Sequence, residues 1–140
     1  MLTDSSEKAV FAMNPLALAY LGDAVWEQFV RERVMRTRSF GNNAEKLHRE
    51  GVRYVNAAAQ ADVLKHLADG LSEAEEALVR RARNHRTATK AKNADPMDYK
   101  RATAFEALLG ALYLSGQTER LAELMERAAL RVEGKEEENE

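Results

Sequence analysis

Cysteine is absent from the 140 residues. Disulfide scaffolds, cysteine-based zinc sites, iron–sulfur clusters and thiol nucleophiles are therefore excluded. A chain without thiols fits a reducing compartment, and a cytoplasmic location is expected. Proline occurs twice and glycine seven times, so few positions interrupt a helix. No apolar run approaches the ~18–20 residues of a membrane span, and no membrane association is expected. The opening stretch MLTDSSEKAVF places acids early and lacks a basic segment followed by an apolar one, so a secretory signal is not expected. Histidine occurs three times, as His48, His66 and His85, without HExxH spacing. GxGxxG, GxxxxGKS and GxSxG are missing, which argues against dinucleotide, P-loop and α/β-hydrolase chemistry.

What is present is helical. Ala, Leu, Glu and Arg dominate, and no stretch alternates as a half-buried strand does. With 45% hydrophobic residues the length suits one core, and an all-α domain of about seven helices is predicted. A first long helix spans about residues 15–36, with Asn14 as N-cap and Pro15 in the first turn. After a break at 39–43, a short helix covers about 44–50 and stops at Gly51, and another covers about 52–68. Ser72 and Glu75 form a capping box for a helix ending near Arg83. Residues 84–94 read as a polar, basic loop, and Asp95-Pro96 opens an apolar helix ending near Ser115-Gly116. A last helix covers about 118–132, and residues 133–140 read as an acidic, disordered tail to a domain spanning 1–132.

Two apolar stripes each contain one carboxylate. Leu16, Ala19, Tyr20 and Asp23 share a helical face, and so do Ala102, Glu106, Leu109, Gly110 and Tyr113. A carboxylate facing a core is costly unless it is paired or coordinates a metal. Packing could bring the two acids together around a hard cation such as Mg²⁺. Alternatively, Asp23 pairs with an arginine and Glu106 bonds a helix end or a buried hydroxyl. Gly22 and Gly110 cost roughly 1 kcal/mol each in mid-helix. They suit close approach of a ligand or of another backbone.

The formal net charge is −2, yet residues 80–101 carry eight basic residues against Asp95 and Asp98. Such a segment on an otherwise acidic body offers a local attraction for a polyanion. Arg81, Arg83, Asn84, Arg86, Lys90, Lys92, Asn93 and Arg101 are the candidate nucleic-acid contacts. Tyr99 is the only aromatic there, which favours a duplex backbone over stacked single-strand bases. A solvated loop would look the same. Arg31, Arg33, Arg36 and Arg38 are read as neutralising a helix C-terminus. His48 is read as a surface or packing residue, and Trp26 and Phe29 as core or dimer contacts.

The run Leu18-Ala19-Tyr20-Leu21-Gly22-Asp23-Ala24-Val25 resembles the signature helix of ribonuclease III catalytic domains. The run Phe105-Glu106-Ala107-Leu108-Leu109-Gly110-Ala111-Leu112-Tyr113-Leu114 resembles their second metal-binding helix, and the order is the family's. The small size, together with Arg81-Ala82-Arg83-Asn84 and Lys92-Asn93, is similar to the mini-ribonuclease III subfamily, which lacks a double-stranded-RNA-binding domain. The resemblance covers roughly residues 14–131. It implies an all-α homodimer that cuts double-stranded RNA with Mg²⁺, or Mn²⁺ in its place, leaving 5′-phosphate ends. Asp23 and Glu106 take the places of the acidic ligands. The implied role is trimming the ends of precursor 23S (large-subunit) ribosomal RNA, with a ribosomal protein as a candidate further partner. Full-length family enzymes carry two more acids, where this chain has Ala19 and Thr103. That departure motivates one rival, a non-catalytic RNA-binding or ribosome-assembly module. A helical nucleotide pyrophosphatase is a second rival, but Glu73, Glu75 and Glu76 lack its repeated Glu-x-x-Glu spacing beside an apolar face.

Overall fold

The computed structural model describes residues 6–37, 43–85 and 95–135. Among them are seven α-helices: α1 (Glu7–Phe11), α2 (Pro15–Thr37), α3 (Ala44–Val55), α4 (Ala57–Leu67), α5 (Glu73–Arg83), α6 (Pro96–Leu114) and α7 (Thr118–Val132). A 3₁₀ turn, Ala68–Gly70, follows α4. The expected all-α class holds.

Helix α6 is the axis of the molecule. Asp95 caps it by accepting from the Met97 and Asp98 amides, and Pro96 sits in the first turn, where a missing N–H costs nothing. From Ala102 to Leu112 every residue except Glu106 is buried. Such an all-round apolar helix must be enclosed. Helix α2 packs on it most extensively, with α4 and α5 next. Asn14 starts α2 as predicted, its Oδ1 accepting from the Leu16 amide at 2.8 Å. The capping box at α5 is also present, with Ser72 and Glu75 bonding each other's backbone N–H.

Glycine decides how close α2 and α6 come. A Cβ on Gly22 would stand 1.6 Å from the Glu106 carbonyl oxygen, and one on Gly110 would stand 2.0 Å from that of Leu18. The two backbones touch, and only glycine fits at either crossing point. Gly51 is different. Helix α3 runs straight through it to Val55, so it is not the predicted stop. Asn56 makes the break instead. It leaves helical geometry and caps α4 by accepting from the Ala59 amide at 2.9 Å.

Two terminal features stand out. Residues 6–13 form part of the domain: α1, a helix not foreseen from the sequence, buries Val10 and Phe11 in the core. Arg81 anchors this segment, its Nη2 donating to the Phe11 and Met13 carbonyls at 2.9 and 2.7 Å. Glu133 is not part of a free tail. Arg33 grips it with Nε and Nη2 at 2.6 and 2.9 Å, and the Tyr54 hydroxyl donates to it at 2.7 Å. A bidentate guanidinium pulls the chain end onto α2 and α3. Residues 136–140 of the predicted tail lie outside the described residues. Arg33 also bonds Glu126, while Arg31 pairs with Glu27 and Arg36 with Glu32. Arg31 and Arg33 thus pair with carboxylates away from the helix end, whereas Arg36 stands in the last turn of α2 as expected; Arg38 lies outside the described residues. Trp26 is a core residue as expected, its Nε1 donating to the Tyr54 carbonyl at 3.0 Å and its ring edge-on to Phe105.

Gly22→Ala and Gly110→Ala should each cost about 3 kcal/mol or more, because backbone cannot yield as a side chain can. Gly51→Ala meets only Val30 Cγ1 at 3.8 Å and should be neutral or stabilising by up to about 1 kcal/mol. Urea unfolding of the three variants separates these outcomes. Burial would raise the Glu133 pKa, but the Arg33 and Tyr54 hydrogen bonds and the Arg33 charge outweigh it and hold the carboxyl down to about 2. The stability from this contact is therefore complete above the ordinary glutamate pKa of about 4.3 and lost as pH falls toward 2. Glu133→Gln should lower stability at neutral pH and flatten the acid limb of a Tm-versus-pH curve. An unchanged limb would remove this contact from the account.

Candidate active site

The apolar stripes meet at the α2–α6 crossing. Asp23 follows Gly22 directly, and Glu106 contributes the carbonyl against which Gly22 packs. The closeness of the two backbones therefore sets the closeness of the two carboxyls, and their side chains share a hydrogen bond. Asp23 is exposed and Glu106 is half-buried. Among the described residues neither forms an ion pair with an arginine or lysine, so the expected alternative of Asp23 paired with an arginine is not seen there. The stripe around Asp23 is less buried than its apolar neighbours suggested. Tyr20 is 86% exposed, and on the other helix Tyr113 is 55% exposed. The pair sits at the rim of the core, open to solvent.

The electrostatics are those of two like charges forced together. Burial is the largest influence on Glu106, followed by the charge of Asp23 and the hydrogen bond between them; together they push its carboxyl up to about 8. In the bare protein at neutral pH, Glu106 therefore keeps its proton and donates it toward Asp23. Glu27, one turn beyond Asp23 on α2, adds longer-range repulsion.

One residue opposes this. Gln60 on α4 is 3% exposed, and its side chain hydrogen-bonds Glu106 and lowers its pKa. The sequence reading missed Gln60. The signal was present, because Gln60 shares a helical face with Ala57, Ala61 and Leu64, as Asp23 and Glu106 share faces with apolar residues on their helices. An uncharged amide carries a smaller burial penalty than a carboxylate and stands out less.

Ala19 and Thr103 each lie about one turn before an acid, and both are buried. The Thr103 hydroxyl donates back to the Tyr99 carbonyl at 3.0 Å. No third His, Cys, Asp or Glu among the described residues joins the pair in metal-binding geometry. The donor set is two carboxylates oriented by an amide. It suits a hard divalent cation that keeps waters and takes a substrate phosphate as a further ligand.

The candidate RNA contacts separate into three groups. Arg83 and Arg101 flank one cleft between α4, α5 and α6. Arg81 is committed to the carbonyls after α1, and Asn84 forms the C-cap of α5 with its side chain exposed. Arg86, Lys90, Lys92 and Asn93 lie outside the described residues. Glu75, considered for a pyrophosphatase site, is fully used by Ser72 and by Arg120 at 2.7 and 2.9 Å. No helix among the described residues is long and apolar enough to cross a membrane.

The ribonuclease III domain model matches residues 16–117, which include both acids and the crossing glycines. A mini-ribonuclease 3 from Symbiobacterium thermophilum is 50% identical over 84% of this chain and 88% of its own length. One from Brevibacillus brevis is 49% identical over 86% of this chain and 89% of its length. A crystal structure of a protein from Fusobacterium nucleatum superposes with a TM-score of 0.72 at 33% identity, covering 82% of this chain and 90% of that one. The chain belongs to the ribonuclease III family, in its mini-ribonuclease 3 group, and is an endoribonuclease.

Proposed function

We propose that this endoribonuclease cuts double-stranded RNA using a divalent cation held by Asp23 and Glu106, with Mg²⁺ as the natural ion and Mn²⁺ as a substitute. The observation that carries the reading is the contact of two carboxyls with, among the described residues, no cationic side chain paired to either. The ion would stabilise charge on the phosphoryl group and make water a better nucleophile. Asp23 and Glu106 would hold it, leaving its remaining positions to water and substrate phosphate. Gln60 fixes the rotamer of Glu106 and favours its charged form. The basic segment from Arg80 to Arg101 draws the duplex in through its phosphates, so helix shape governs binding more than base sequence. The products carry 5′-phosphates, and the substrate is precursor 23S ribosomal RNA in the cytoplasm. A ribosomal protein bound to that RNA is a further partner this reading admits.

The working unit is a homodimer, because one chain has one pair of acids and two strands must be cut. The surface that suits the second copy lies on α2 and α3. Met35 and Val52 are exposed there, beside a cleft of about 240 Å³ that Val30, Val34, Leu47 and His48 help to line.

Asp23→Asn keeps the shape and hydrogen bonding of the side chain but removes its charge. It should bind duplex RNA as wild type does and lose cleavage by roughly a hundred- to a thousandfold. Mixed dimers of wild-type and variant chains should nick one strand. Retained cleavage would disprove the role of Asp23, and full double-strand cleavage by mixed dimers would disprove the shared arrangement. A second expectation concerns pH. The unfolded Glu106 loses its proton near 4.3 and the folded one near 8. Without a divalent ion, stability should therefore fall as pH rises between these values. Mg²⁺ should raise the Tm, and more so toward pH 8, because it replaces the proton. Glu106→Gln should flatten the fall and abolish the Mg²⁺ response. A Tm indifferent to Mg²⁺ in the wild type would count against the metal site.

A further inference from the structure

Most arginines in this protein are spent on carboxylates: Arg31, Arg33, Arg36, Arg49, Arg53, Arg80, Arg120 and Arg131 all form ion pairs. Lys65, Arg83 and Arg101 are exceptions. Among the described residues their side chains make no hydrogen bond or ion pair, and all three line one cleft of about 390 Å³ between the end of α4, the face of α5 and the start of α6. Arg80 completes the rim. The acids there are Asp69 and Glu76, and Glu76 is bonded to Arg80. Leu64, Leu71 and Val79 form apolar walls, which strengthen the field of cations held beside them. Three unpaired cations converging from three elements repel one another, and an anion between them relieves that repulsion.

We propose that this cleft is a phosphate-binding subsite that takes one backbone phosphate of the RNA outside the scissile position. This rests on the double-stranded RNA reading above and deepens it. The cleft is separate from the carboxyl pair. Arg101 precedes Glu106 by five residues on α6, and Lys65 follows Gln60 by five on α4, about 7.5 Å along and about 140° around each helix axis. The two helices that carry Glu106 and Gln60 thus carry two of the cleft's cations on another face, at a fixed offset from the cutting site, where a phosphate other than the scissile one can reach them. Asp69 on the rim disfavours a more highly charged group and suits a singly charged diester.

The test uses duplex RNA binding in an Asp23→Asn background, measured over a range of salt concentrations. The Lys65→Gln/Arg83→Gln/Arg101→Gln variant should bind about tenfold more weakly, and its log Kd-versus-log salt slope should fall by about one. Its Tm should equal or exceed the parent's, because removing the three charges relieves their mutual repulsion and Gln keeps part of each side chain's packing. Arg49→Gln, on α3, serves as the control and should leave the slope unchanged. Two results would overturn the subsite: an unchanged slope and affinity in the triple variant, or a Tm rise with inorganic phosphate that the variant abolishes while duplex binding stays intact, which marks a site for free phosphate only. If the parent binds duplex RNA and the variant does so equally well, the subsite fails alone. If the parent and the wild type bind no duplex, the double-stranded RNA reading fails with it.

Discussion

Backbone contact between α2 and α6 at Gly22 and Gly110 is the constraint on which the molecule turns. Two helices ordinarily stand 8–10 Å apart, held off by their side chains. Here the carbonyl of Glu106 lies where a Gly22 Cβ would be, and that of Leu18 where a Gly110 Cβ would be. The glycines are thermodynamically poor choices for helix interiors. Their cost is offset by dispersion along a long, closely apposed seam whose core includes Leu18, Ala19, Ala107 and Leu109. The same contact carries Asp23 and Glu106 to within hydrogen-bonding reach.

That juxtaposition is unfavourable in the bare protein, and the fold compensates for it elsewhere. Arg33 binds Glu133 and Glu126, and Arg120 binds Glu75, Glu123 and the Gly70 carbonyl. These clamps join elements remote in sequence around the far sides of the bundle. Carboxylates there are matched to arginines, whereas among the described residues Asp23 and Glu106 have none, and Lys65, Arg83 and Arg101 bond neither of the acids in their cleft, Asp69 and Glu76. Charge is thus balanced where it is structural and left unbalanced where a cation or an RNA phosphate suits it.

Much of this was legible from local patterns. Asn14-Pro15, Ser72 with Glu75, and Asp95-Pro96 each satisfy helix-start amides with side chains a few residues away, so their geometry needs no distant partner. The odd acids in apolar stripes were visible because helical periodicity is also local. Gly51 was misread because a glycine in a helix marks an end only when no neighbour offers a better cap, and Asn56 does. Glu133 was read as the start of a loose tail because the residue that holds it, Arg33, lies 100 positions away.

Sequence by itself determined the long helices, the caps at Asn14, Ser72 and Asp95, and which two acids stand among apolar neighbours, since each depends on contacts within about one turn. Tertiary structure alone decided that those acids meet, that Gln60 joins them, that Arg81 serves α1, and that Lys65 converges with Arg83 and Arg101. The reason is that packing distances between helices are set by the sizes of side chains on both partners. A missing Cβ on α2 has a consequence only when the backbone of α6 arrives to fill the space.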